Sequence, residues 1–264
     1  MSEARNGDVR LAYEVRGTGE PLLMIHGLGY DRFGWGRLPD LIAEELQVVV
    51  FDNRGVGDSD VPAGPYAVSQ LSEDAAAVLD AAVIDSAHVL GVSLGGYIAQ
   101  ELALTHPDRV RKLVLASTAP GGPRSQPMPT AGLEAFGRFP TMEREAGLRL
   151  MVENSLGAHG VRERPELVEE IYLYRLERGP TIAGWQNQAY AGATFDAYVR
   201  LAQISAPTLV LQGGADNVVD PRNAELLAEL IPNARLETIP DRGHLMVWEE
   251  GAALGPIVKE FLQS

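Results

Sequence analysis

His88-Val89-Leu90-Gly91-Val92-Ser93-Leu94-Gly95-Gly96 decides the fold, read together with the nearly all-apolar stretch from Leu94 to Thr105. A short apolar strand, His88–Leu90, runs into a Gly-x-Ser-x-Gly turn, and the turn opens directly into a helix. A serine at such a turn has its hydroxyl held exposed, and the flanking glycines allow a strained backbone and close helix packing. The free amides at the helix start, that of Leu94 among them, point at developing negative charge. By itself the motif also fits a serine in a Gly-rich turn. The strand before it and the helix after it favour a nucleophile.

The same rhythm extends outward. Pro21 to Ile25, Val48 to Phe51, Leu113 to Ala116 and Thr208 to Leu211 are continuous apolar runs, as expected for strands buried on both faces of a parallel sheet. Val9–Val15 alternates and reads as an edge strand, and Arg235–Ile239 as a last strand. Helical stretches lie between them: Ser72 to Val83, opened by polar residues, and Pro221 to Ile231, with proline at a first helical position. Repeated strand and helix predict an α/β fold with a mainly parallel sheet, whose ligands bind at the carboxyl ends of strands.

That rhythm breaks after Ala119, at Pro120-Gly121-Gly122-Pro123. From Thr141 to Leu201 no buried strand is visible. Leu148, Met151, Val152 and Leu156 have helical spacing, as do Leu167, Val168, Ile171 and Tyr172, and then Phe195, Tyr198, Val199 and Ala202. An all-helical insertion is expected over 121–203, inside a catalytic domain formed by 1–120 and 204–264. Charge divides the same way. The 264 residues hold 22 Lys+Arg and 36 Asp+Glu, a net −14, yet 121–203 holds 9 Arg against 10 acids, a net −1. The body therefore carries −13.

So acidic a chain repels nucleic acid and anionic membrane surfaces, and neither is expected as a partner. With no cysteine there is no disulfide, thiolate metal site or Cys nucleophile. The polar start and the lack of about 18 consecutive apolar residues predict a soluble, cytoplasmic protein without a membrane span. H-E-x-x-H, phosphate-loop and dinucleotide spacings are missing, so no metal and no cofactor are expected.

A serine nucleophile needs a base, and the base an orienting acid. Of the five histidines, His106 closes the helix that Ser93 opens, about 18–20 Å away. His88 sits at the wrong end of its strand. His159 reads as a surface loop residue in Gly-Ala-His-Gly, and His26 as shaping its loop. His244 remains, in the polar loop after Arg235–Ile239. Asp216 follows Thr208–Leu211 and completes the chain order Ser, Asp, His; it could also simply cap its turn. Asp220 is placed to cap the next helix, and Asp52 reads as a loop-stabilising carboxylate paired with Arg54. Two amides are needed for an oxyanion hole, and Leu94 and Leu28 are the candidates.

HGLG at 26–29, DNRGVGDSD at 52–60, GVSLGG at 91–96, THPDRV at 105–110, GGADNVV at 213–219 and GHLMVWEE at 243–250 together resemble the α/β-hydrolase superfamily. The resemblance spans Pro21 to Leu262. Within the superfamily the chain is most similar to bacterial lactonases and esterases that include 3-oxoadipate enol-lactonases. It implies Ser93 as nucleophile, His244 as base, Asp216 as acid, Leu28 and Leu94 amides as oxyanion hole, and 121–203 as a helical lid. Val56 stands where those enol-lactonases often carry His. Leu94 stands where perhydrolases and carbon–carbon bond hydrolases usually carry Met, and Ser93 where dehalogenases and epoxide hydrolases use Asp. The expected substrate is a small ester or lactone. Trp185, Tyr190, Phe195 and Tyr198 either line its pocket or pack the lid. The rivals are a perhydrolase and a slow-turnover ligand receptor on the same fold.

Overall fold

The computed structural model describes residues 1–264 apart from the side chain of Pro140. Eight strands form one sheet: β1 (Ser2–Asn6), β2 (Val9–Arg16), β3 (Pro21–Ile25), β4 (Gln47–Phe51), β5 (Ala87–Val92), β6 (Val110–Ala116), β7 (Thr208–Gly213) and β8 (Ala234–Ile239). Their order is β1-β2-β4-β3-β5-β6-β7-β8. β1 and β2 are antiparallel to their neighbours, and the rest of the sheet is parallel. Val9–Val15 is thus a strand but not the edge. The short polar β1 covers it, and its register pairs Ala4 with Leu11.

The helices are α1 (Leu38–Ile42), α2 (Val68–Ala81), α3 (Leu94–Thr105), α4 (Thr130–Arg138), α5 (Arg144–Glu163), α6 (Pro165–Arg178), α7 (Ile182–Thr194), α8 (Arg222–Leu230), α9 (Met246–Glu249) and α10 (Gly251–Gln263). Successive strand residues point to opposite faces, so each run feeds two cores. Leu23, Ile25, Val49, Phe51 and Val89 pack with residues of α2 and α3. Leu22, Met24, Val48, Val50, Leu90 and Val92 pack with α1 and α10. Burial on both faces is why these strands read as unbroken apolar runs. Among the described residues, no helix is long and apolar enough to cross a membrane.

α2 begins four residues before the polar Ser72-Glu73-Asp74 cluster. Val68 and Leu71 extend its buried face, and the Gln70 side chain accepts the Ala67 N–H at 3.0 Å. Ser72 and Asp74 are buried inside the helix instead of opening it.

Between β6 and β7 the insertion forms α4–α7. Val152, Leu156, Leu167, Val168 and Ile171 make a third apolar cluster there, which also takes in Leu245 of the body. Two expectations fail in this segment. Phe195 is the residue after α7, and the Phe195–Ala202 repeat is not one helix; Asp196 instead bridges to Gly121. His159 is not in a loop but inside α5, two residues past a kink at Gly157, whose φ of +72° suits a residue without a side chain. Arg149, Arg162 and Arg164 pair with acids of the insertion, while Arg178 and Arg200 reach Asp31 and Glu101 of the body.

Candidate active site

The sheet order reverses at β3: β4 lies on one side and β5 on the other. Loops leaving β3 and β5 therefore diverge, and a crevice opens at their carboxyl ends. Ser93 stands at that place. Its backbone is in the left-handed region, φ +55° and ψ −120°, unusual for a residue with a side chain. The surroundings hold it there. Ser93 N–H donates to the Ala116 carbonyl at 3.0 Å, and the Ser93 carbonyl accepts from Gly96 N–H at 2.9 Å and Thr118 Oγ1 at 2.8 Å. A Cβ on Gly95 would lie 1.9 Å from the Ile25 carbonyl oxygen, and one on Gly91 2.2 Å from that of Gly95. The glycines are needed because α3 is pressed against both β3 and β5.

Asp216 and His244 come together at the ends of β7 and β8. His244 Nδ1 lies 2.8 Å from Asp216 Oδ2. Asp216 is 2% exposed, and its other oxygen accepts the Val218 and Val219 N–H groups at 2.7 and 2.9 Å. Turn capping and the histidine contact are thus both true of Asp216, one at each oxygen. Asp220 behaves as expected, taking the Arg222 N–H at 3.0 Å at the start of α8.

The loop after β3 carries Leu28. Among the described residues, neither the Leu28 nor the Leu94 N–H donates to a protein acceptor. His26 is buried, stacks on Tyr30 at 4.7 Å and lies 2.6 Å from the Gly34 carbonyl through Nε2. Its Nδ1 accepts the Gly27 N–H at 2.7 Å. Burial pushes its pKa down to about 3, so it is neutral at pH 7 and shapes the loop. His88 and His106 face Glu20 and Glu73 at the other end of the sheet.

Asp52 is buried as a loop-stabilising carboxylate, but its partner is not Arg54. It accepts from Arg32 N–H at 2.7 Å and from Asp58 N–H at 2.8 Å, and pairs with the Arg32 guanidinium. Arg54 instead pairs with buried Asp74 of α2 at 2.6 Å. Trp185 of α7 touches the loop after β3: a Cβ on Gly29 would lie 3.1 Å from its ring. Phe195 packs on Tyr97 at 4.9 Å, Tyr198 lies under the Arg124 guanidinium, and Tyr190 is exposed. Two surface clefts of about 350 and 270 Å³ flank the insertion, one bounded by Trp248 and Glu249, the other by Asp58 and Arg178. Neither is lined by Ser93 or His244.

Two residues escape a reading of the sequence. Gln188, fully buried in α7, accepts the Gly29 N–H through Oε1 at 2.9 Å. Glu249, 5% exposed in α9, accepts the Gly243 N–H at 2.9 Å beside His244. The acidic end of GHLMVWEE was a signal for Glu249. A lone glutamine in an insertion helix was none for Gln188.

Burial raises the Glu249 pKa to about 7, against the opposing pull of the Gly243 N–H, Arg242 and Arg164. An acid whose pKa rises on folding contributes stability below its unfolded value, near 4.5, that is lost as pH rises through 7. Glu249→Gln keeps the acceptor for Gly243 and removes the buried charge. It should raise stability at pH 8 by about 2–3 kcal/mol, seen as a melting temperature higher by about 5 °C or more. Most of that gain should vanish at pH 5. An equal gain at both pH values would show that ionisation of Glu249 is not the cause.

The fold is that of a hydrolase. Residues 20–251 match the family model described as alpha/beta hydrolase fold, and the chain belongs to that family. A poly(3-hydroxyalkanoate) depolymerase of Ectopseudomonas oleovorans is 33% identical, the match covering 92% of this chain and 84% of that one. The 2-hydroxy-6-oxononadienedioate/2-hydroxy-6-oxononatrienedioate hydrolase 1 of Dechloromonas aromatica is 34% identical, over 97% and 91%. Among solved structures, Est816, described as an N-acyl homoserine lactone degrading enzyme, superposes with a TM-score of 0.83 at 29% identity, covering 98% and 100%. Lactonases and esterases thus stand among its structural neighbours.

Proposed function

We propose that the protein is a serine hydrolase that cleaves a carboxylic ester or lactone through an acyl-enzyme. The observation that carries this reading is the buried Asp216–His244 contact at 2.8 Å, set beside a serine held at positive φ on the same end of the sheet. His244 Nε2 takes the Ser93 hydroxyl proton as Oγ attacks the substrate carbonyl carbon. Asp216 accepts the Nδ1–H, fixes the tautomer and stabilises the imidazolium. The Leu28 and Leu94 amides donate to the tetrahedral oxyanion. The imidazolium returns its proton to the leaving alkoxide, and water activated by His244 then releases the acid. In a lactone the leaving alkoxide stays tethered, so one hydroxy acid is the product.

The 121–203 insertion acts as a lid over this site, with Trp185 beside the Leu28 loop as a substrate contact. The stacking of Phe195 on Tyr97, the Arg124 guanidinium over Tyr198 and the exposure of Tyr190 support a packing or surface role for these three. The named substrates of the relatives differ, so family membership supports hydrolysis and leaves the acyl group open.

The test is a panel of acyl esters and lactones followed by pH-stat, together with mass spectrometry of the protein quenched during turnover. Sustained acid release and a mass increase on the Ser93 peptide equal to the acyl group are expected. Release of acid with no acyl adduct, and with undiminished rate in Ser93→Ala, would overturn the reading. A single turnover followed by arrest would favour the receptor, and peroxide-dependent bromination with acetate the perhydrolase.

A further inference from the structure

The loop that carries Leu28 is held by two different parts of the molecule. The body holds its first half. Asn53 Nδ2 donates to the His26 carbonyl at 3.1 Å, and the His26 ring is fixed by Gly34 and by stacking on Tyr30. Gly27 packs directly on the serine: a Cβ there would lie 2.9 Å from Ser93 Cβ. The insertion holds the second half. Gln188 Oε1 accepts the Gly29 N–H, and Arg175 Nη1 of α6 donates to the Gly29 carbonyl. Leu28 lies between the two anchors. Its N–H direction is therefore set by the torsions of a three-residue span fixed at one end by the body and at the other by the insertion.

Gln188 is suited to transmit the seating of α7. It is 0% exposed, and its Nε2 donates to the Arg54 carbonyl at 2.8 Å while Oε1 takes Gly29. One side chain thus bridges the loops after β3 and β4. The helix backbone approaches just as closely, since a Cβ on Gly184 would lie 2.0 Å from the Gly55 carbonyl oxygen. Without Gln188 two buried backbone groups would lose their partners, and the Gly29 peptide could rotate. A buried donor without an acceptor is costly enough for the loop to move toward one.

We infer that Gln188 is a positioning residue for the oxyanion hole: it fixes the Gly29 peptide from the insertion and so aims the Leu28 N–H. The inference rests on the reading of Leu28 as an oxyanion donor. It makes the insertion part of the machinery for transition-state stabilisation as well as a cover, because the hole is complete only with α7 seated.

The test uses Gln188→Met, which keeps the volume and removes both bonds, and Gln188→Asn, one methylene shorter and unable to span both loops. With an ester that the wild type turns over, kcat is expected to fall about 10- to 100-fold, a part of the loss from deleting a whole donor, with KM within threefold. Inhibition by a boronic acid, whose tetrahedral adduct is anionic, should weaken by the same factor as kcat/KM. The 15N–1H resonances of Leu28 and Gly29, read without substrate, should shift, and the Gly29 amide should lose protection from hydrogen exchange. If the methionine variant does not fold, the asparagine variant carries the test. A folded variant with wild-type kcat and unmoved Leu28 resonance would overturn the inference, as would a loss confined to melting temperature. Failure of the serine mechanism is separable. It shows as turnover that survives Ser93→Ala, whereas the amide resonances report on the Gln188 clamp regardless of turnover.

Discussion

Replacing Ser93 with alanine is expected to lower ester or lactone turnover by roughly 10⁴- to 10⁶-fold, the range a serine triad enzyme loses with its nucleophile. The fold should be untouched. The backbone at 93 is held through its N–H and carbonyl, by Ala116, Gly96 and Thr118, and alanine keeps both groups. Whatever rate remains should come from binding and from the Leu28 and Leu94 amides. Ser93→Gly separates strain from chemistry at the same position. It should be equally inactive but more stable by about 1 kcal/mol, because glycine accepts φ +55° without steric cost. Kinetics and thermal melting of the three proteins check both statements, and alanine turnover within tenfold of the wild type would remove Ser93 from the mechanism.

Asp216→Asn should be nearly as severe, with kcat lower by about 10⁴-fold. The hydrogen bonds around the carboxylate explain why. Oδ1 accepts two backbone N–H groups, from Val218 and Val219, so the asparagine oxygen is compelled to stay there. Its NH₂ then faces His244 Nδ1 and donates to it. The ring proton is driven to Nε2, the atom that must accept the Ser93 proton, and the base is blocked. The Gln212 amide nitrogen, 3.2 Å from Oδ2, would meet a second donor, which should cost about 1–3 kcal/mol of stability. Circular dichroism should report a folded protein, and pH-stat assays a lost kcat with KM little changed. Retention of kcat within tenfold would show that His244 does not depend on this carboxylate.

Ser93 and Asp216 were legible because each follows an apolar run that reads as a buried strand, and His244 because its polar loop follows Arg235–Ile239, an exposed strand of mixed polarity; the parallel part of the sheet brings these carboxyl ends to one side. The α3 boundaries, Leu94–Thr105, were readable because the helix is buried all round and ends at His106-Pro107. Elsewhere local signals misled. The polar cluster at Ser72 looked like a helix start, yet Asp74 is there to meet Arg54 across the core boundary. Helical spacing at Phe195, Tyr198 and Val199 failed because this chain turns back onto Gly121 after α7.

The sequence by itself determined the α/β architecture, the elbow at Ser93 and the loops that bear Asp216 and His244. These follow from short-range sterics, two- and four-residue periodicity and the order of strands. Only the tertiary structure decided which buried polar groups meet: Asp52 with Arg32, Arg54 with Asp74, Glu249 with Gly243, and Gln188 with Gly29 across 159 residues of chain. A buried donor or acceptor must find a partner somewhere. Which one it finds is fixed by how elements distant in sequence pack, and no local pattern records that choice.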